Sequence, residues 1–120
     1  MARGPRRPRL RAQDVEYTDG EGGALVLRGS LSLGTRGAYA RIENGQDLPP
    51  GASREDGWQR AFEFLFERLV VSWTIAGTEP LRSQRELLGR LRFASSGERA
   101  WLRERLREHC AAYFPDVHAP

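Results

Sequence analysis

The stretch that decides the fold reads SREDGWQRAFEFLFERLVVSW, from Ser53 to Trp73. Its serine stands three positions before Asp56, a variant of the capping box in which hydroxyl and carboxylate each satisfy the other's backbone amide. Trp58, Phe62, Leu65, Leu69 and Trp73 then recur at the spacing of one helical face, and Ala61, Phe66 and Val70 widen it. This spacing predicts a single core helix over residues 54–73. Phe64 and Val71 lie seven apart and away from the centre of the stripe, so the helix is apolar over more of its circumference than one core contact uses. Either a hairpin or another chain is expected to cover that second side.

Upstream, Val15 and Tyr17 alternate with polar residues, a turn follows at 19–23, and Leu25, Leu27, Leu31 and Leu33 continue the alternation. That pattern predicts a small hairpin or meander, too short to stand without helices against it. Residues 35–43 follow as a short helix in which Ala38, Tyr39 and Ile42 share a face, ended by Asn44-Gly45 and Pro49-Pro50-Gly51. Downstream, Ser83 with Glu86 opens a helix carrying Leu87, Leu88 and Leu91. Ser95 with Glu98 opens another carrying Trp101, Leu102, Leu106, Cys110 and Tyr113, and Phe114-Pro115 ends it. The expected fold is therefore α+β and mainly helical, a small N-terminal β-hairpin packed on three to four helices. One globular domain is expected over 13–114, with a flexible arginine-rich arm at 1–12 and a frayed tail at 115–120.

Charge separates the arm from the body. All nineteen basic residues are arginine; Arg3, Arg6, Arg7, Arg9 and Arg11 fall in the first eleven positions, where there is no acid, and the rest carries fourteen arginines against sixteen acids. The pI near 9.7 is thus a property of the arm. Those five arginines are the nucleic-acid candidates, because each can approach a phosphate without reading sequence. No aromatic is interleaved to stack a base, and an idle or protein-contacting tail competes with that reading. The cationic start is followed by Gln13, Asp14 and Glu16 in place of an apolar stretch, which argues against a secretory leader. No apolar run approaches a membrane span, and the single Cys110 has no internal disulfide partner. A soluble, cytoplasmic protein is expected, that of the host if the chain is phage-encoded.

Catalytic chemistry finds little support. His109, Cys110, Asp116 and His118 match no closed zinc spacing, and Cys110 continues the apolar stripe of Leu102 and Leu106. Ser53, Ser83 and Ser95 sit where helices begin, which capping explains. The glycines at 20–23 and 34–37 precede no phosphate-binding lysine. Glu63 and Glu67 stand one turn apart on an exposed face, as solvated charges do. No enzyme, metal or cofactor is expected. Most of the aromatic stripe serves the core, but Phe64, Val71 and Trp101 are large groups in excess of what so small a core hides. The partner-binding set is accordingly Trp58, Phe64, Val71, Trp73 and Trp101, for a protein partner or a second copy.

The order of elements also resembles a family. A β-like lead, the stretch LSLGTRGAYARI at 31–42, a helix ending in Val70-Val-Ser-Trp73 and a linker at Glu79-Pro80 before closing helices are similar to the tail assembly chaperones of long-tailed bacteriophages. The resemblance spans about residues 24–110 and rests on hydrophobic pattern, with Leu31, Leu33, Trp73 and Pro80 as its positions. Arg36, Gly34, Gly37 and the arginine arm depart from the pattern. The resemblance implies a non-catalytic protein that coats an elongated helical partner, the tape-measure protein, before the tail tube is built.

Overall fold

A computed structural model describes residues 12–46 and 48–120. The arginines assigned to the arm, Arg3, Arg6, Arg7, Arg9 and Arg11, lie outside the described residues. The elements run β1 (Val15–Thr18), β2 (Ala24–Leu27), α1 (Leu33–Glu43), α2 (Arg54–Leu69), β3 (Val70–Thr74), α3 (Gln84–Arg92) and α4 (Ser96–Tyr113). The class is α+β and mainly helical, as expected. Three strands form an antiparallel sheet in the order β1-β2-β3. One face of it, carrying Tyr17, Leu25, Leu27, Val70 and Trp73, packs on the helices.

The hairpin forms where alternation predicted it. Val15 pairs with Leu27 and Thr18 with Ala24. Asp19 holds the turn: its carboxylate accepts from the amides of Glu21 and Gly23 at 2.8 and 2.9 Å, which keeps its pKa below the usual range. Gly29 is required behind it, because a Cβ there would drive into the backbone of Ala12 and Gln13.

Residues 70–73 correct the sequence reading. The helix ends at Leu69 and the chain enters β3 with no loop between, pairing Leu25 with Trp73 and Val26 with Ser72. Val70-Val71 explain the switch: β-branched side chains lose rotamer freedom on a helix and fit the pleat of a strand. The spacing of Leu69 and Trp73 satisfies a helical period by coincidence. Leu27 pairs with Val70, so the register shifts by one and Val71 is the extra residue of a bulge. What looked like an over-apolar rod is a shorter helix and a strand that buries its apolar side in the sheet. The outer edge of β3 is partly covered in turn, since Trp73 and Leu81 exchange backbone hydrogen bonds of 3.0 and 2.9 Å.

The helix starts are legible residue by residue. Ser53 Oγ accepts from the Asp56 amide at 3.0 Å, and Asp56 Oδ2 from the Ser53 amide at 3.0 Å. Ser95 and Glu98 repeat the arrangement at 2.9 and 3.1 Å. Both acids are held below their usual pKa, chiefly by the backbone amide each accepts from. Leu31 and Leu33 are not a strand: Ser32 caps α1 and Leu33 begins it.

The C-terminal residues, expected to fray, instead form a strap across α1. Phe114 and Val117 are buried. The Tyr39 hydroxyl donates to the His118 carbonyl at 2.6 Å, and Arg36 Nη1 meets Asp116 Oδ1 at 3.1 Å. Burial raises the Tyr39 pKa, so the phenol stays a donor. The segment stays ordered for a tertiary reason: packed against the rest of the fold, Phe114 and Val117 bury enough apolar surface to offset the entropy of ordering so short a segment.

Candidate functional site: a groove between α1 and α2

The two helices lie side by side and leave an open groove of about 740 Å³ between them. One stripe of each helix lines it: Gly34, Gly37, Ala38, Arg41 and Ile42 from α1, and Arg60, Glu63, Phe64 and Glu67 from α2. The stripes follow the three- and four-residue helical spacing, so the groove runs with the axes for about two turns, roughly 12 Å at 1.5 Å per residue. Its wall on α1 is small because a Cβ added at Gly37 would meet nothing within 4 Å, and one at Gly34 only Ser32 Oγ at 3.9 Å. Its apolar part is Ala38, Ile42 and Phe64, with Arg68 laid over the Phe64 ring at 5.0 Å to the centroid.

The five residues assigned to partner contact do not share a face. Phe64 alone lines this groove. Trp58 is 45% exposed on the first turn of α2, where it lines a separate hollow with Leu48 and His118. Val71 lines a third, with Arg82 and Leu88. Trp101 is half-buried on α4 and packs against the core. Trp73 is only 4% exposed, so its assignment to a contact surface is corrected: it faces inward from β3 and meets Phe66 edge to face at 6.0 Å.

Arginine explains how so many aromatics remain at the surface. Guanidinium groups cover the rings of Trp58 (Arg103, 5.4 Å) and Trp101 (Arg105, 5.7 Å), as Arg68 covers Phe64, and Arg90 lies over the enclosed Trp73 ring at 5.4 Å. A planar, weakly hydrated cation over a ring face contributes about 0.5–1 kcal/mol at exposed sites. The chain thus shields with its own arginines part of the apolar surface that the sequence left over for a partner.

The sequence reading missed two things. The glycines three apart at 34 and 37 read in the sequence as a failed phosphate loop and as a departure from the chaperone pattern, although inside a helical segment that spacing marks a wall without side chains. The most exposed large apolar residues described, Leu33 and Phe93, each 83% exposed, were not assigned to contact either. His109, Cys110, Asp116 and His118 are not brought together, and no cluster of three metal-ligating side chains occurs among the described residues. Cys110 is enclosed on the apolar stripe of α4, and desolvation pushes its thiol up to about 12, which leaves no thiolate to attack with at neutral pH. No described helix is long and apolar enough to cross a membrane. No family model, curated protein or solved structure matches the chain.

Proposed function

We propose that the chain is a non-catalytic assembly or chaperone-like protein, acting in the cytoplasm, that seats an amphipathic helix of an elongated partner in the α1/α2 groove. One observation carries the reading: α1 keeps glycine at 37 with open space where a side chain would stand. Glycine inside a helix costs about 1 kcal/mol relative to alanine, and nothing packed within the chain asks for it. A partner backbone approaching that wall does ask for it, as in helix-in-groove recognition, with Ala38, Ile42 and Phe64 meeting the partner's apolar stripe. A partner of tape-measure type, as the resemblance to tail assembly chaperones implies, is a long helical protein with many such stripes.

The reading expects a very long helical reading frame beside the gene. Twenty-residue peptides tiling that protein's apolar stripes should shift the backbone resonances of Gly34, Gly37, Ala38 and Ile42 on titration. The absence of such a frame, or shifts confined to other surfaces, contradicts the proposal. The rival reading, a small virion structural or nucleic-acid-associated protein, rests on the five arginines of residues 3–11. Removing residues 1–12 should abolish salt-sensitive DNA retention if the rival holds and leave peptide binding unchanged if the groove is the site.

A further inference from the structure

His109 is the one charged or polar residue among those described that is classed with the core, at 0% exposure. It lies on α4 beneath the hairpin, and both ring nitrogens are engaged. Nε2 stands 2.7 Å from the Arg28 carbonyl oxygen. A carbonyl only accepts, so Nε2 carries the hydrogen, Nδ1 of the neutral ring is bare, and the Tyr17 hydroxyl donates to it across 2.8 Å. Tyr17 meets the imidazole edge to face at 5.7 Å, and Tyr113 and Phe114 close other sides at 4.8 and 5.7 Å.

This small network ties the edge strand to α4, whereas β2 is held independently by its pairing with β3 and by Leu25 and Leu27 in the core. β1 is the edge strand of the sheet, its one strand partner is β2, and Tyr17 is the β1 residue that packs on the core. The Arg28 carbonyl anchors the chain just after β2 to the same ring. We propose that His109 is a proton-operated latch: the neutral imidazole fastens the edge strand β1 to α4 through Tyr17, and taking up a proton releases β1 while β2, β3 and the helical layer stay folded.

The chemistry follows from donor and acceptor counts. A protonated ring carries hydrogen on both nitrogens, so Nδ1 no longer accepts from Tyr17, and two donors face each other until the hydroxyl turns away. The groups around the ring do not prevent this. From β1 comes Tyr17, whose own pKa is raised by burial and then by Glu108, so it remains a protonated donor. From the chain after β2 comes only the Arg28 backbone. On α4, Arg105 and Glu108 lie near and pair with each other at 3.5 Å, beside Cys110 and Tyr113. Desolvation lowers the His109 pKa against the smaller opposing pulls of the Arg28 carbonyl and Glu108. The sign is therefore fixed. The latch is fully closed above the ordinary imidazole value of 6.5 and is progressively lost as pH falls below it. Opening would free the outer edge of β2 to pair with another strand.

Amide hydrogen exchange of the whole chain, corrected for intrinsic rates at pH 7.5 and pH 5.0, tests the latch. The amides bonded between β1 and β2 should lose protection about tenfold or more at the lower pH, a factor approaching ten for each unit below the free value. Amides of Leu65, Leu102 and Leu106 should keep theirs. The chain has two histidines, so His118→Gln should retain the hairpin's response and His109→Gln should abolish it. Should His109→Gln not fold, the imidazole C–H resonances of the unsubstituted protein replace it and must titrate with the midpoint of hairpin opening. Protection that ignores pH, that falls in all elements together, or that tracks His118 overturns the proposal.

Discussion

α1 and α4 both pack on α2, and they are built in opposite ways. α4 runs eighteen residues from a complete capping box and buries Leu102, Leu106, His109 and Cys110 along one side. α1 runs eleven residues, has no acid in its first turn, contains Gly34 and Gly37, begins on a nearly bare Leu33 and buries only Tyr39. The first carries its own start signal and core. The second has weak intrinsic propensity and is held by what lies against it, α2 on one side and the C-terminal strap on another. The groove opens along the helix that is least self-sufficient, which is what an adaptable contact surface requires.

α1 and α4 depend together on Phe114, which closes the end of α4 and lies under the Arg36 guanidinium of α1 at 5.1 Å. Phe114→Ala should cost about 3–5 kcal/mol in denaturant unfolding, with α1 amides losing protection before those of α4. Ser95→Ala acts on α4 alone and should cost about 1 kcal/mol. The titrating half of that cap is the Glu98 carboxylate, which the Ser95 backbone amide holds below its usual pKa. It contributes above the ordinary glutamate range and fades as pH falls into it, so the difference between Glu98→Ala and the unsubstituted protein should shrink toward pH 3. Tyr39→Phe removes the bond to the His118 carbonyl and should cost about 1 kcal/mol, loosening the strap and α1 without touching α4. The smallest effect has the opposite sign. Gly37→Ala should stabilise by about 0.5–1 kcal/mol, since its Cβ meets nothing, whereas the account fails on this point if the melting temperature drops.

Caps are local, so Ser53, Ser83 and Ser95 announced three helix starts, and the alternation of Val15, Tyr17, Leu25 and Leu27 announced the hairpin. The third strand stayed hidden because Leu69 and Trp73 keep a helical period across a boundary that Val70-Val71 set by their β-branched shape. The strap was hidden because nothing local requires Val117 or His118 to reach back to Tyr39, about eighty residues earlier. The groove was hidden for a related reason: Gly34 and Gly37 mean one thing in a loop and another on a helix beside α2, and only the packing of the two helices decides between them. Of the five contact residues assigned from sequence, Phe64 lines it, while Trp73 is needed inside.

The most direct test of the groove sets Gly37→Leu beside the unsubstituted protein and measures, by calorimetric titration, the affinity of each for a twenty-residue amphipathic helix from the proposed long helical partner. The account predicts at least a tenfold loss of affinity with the melting temperature unchanged or higher, because the new side chain fills only the space a partner backbone would use. Equal affinity in the two proteins would contradict it.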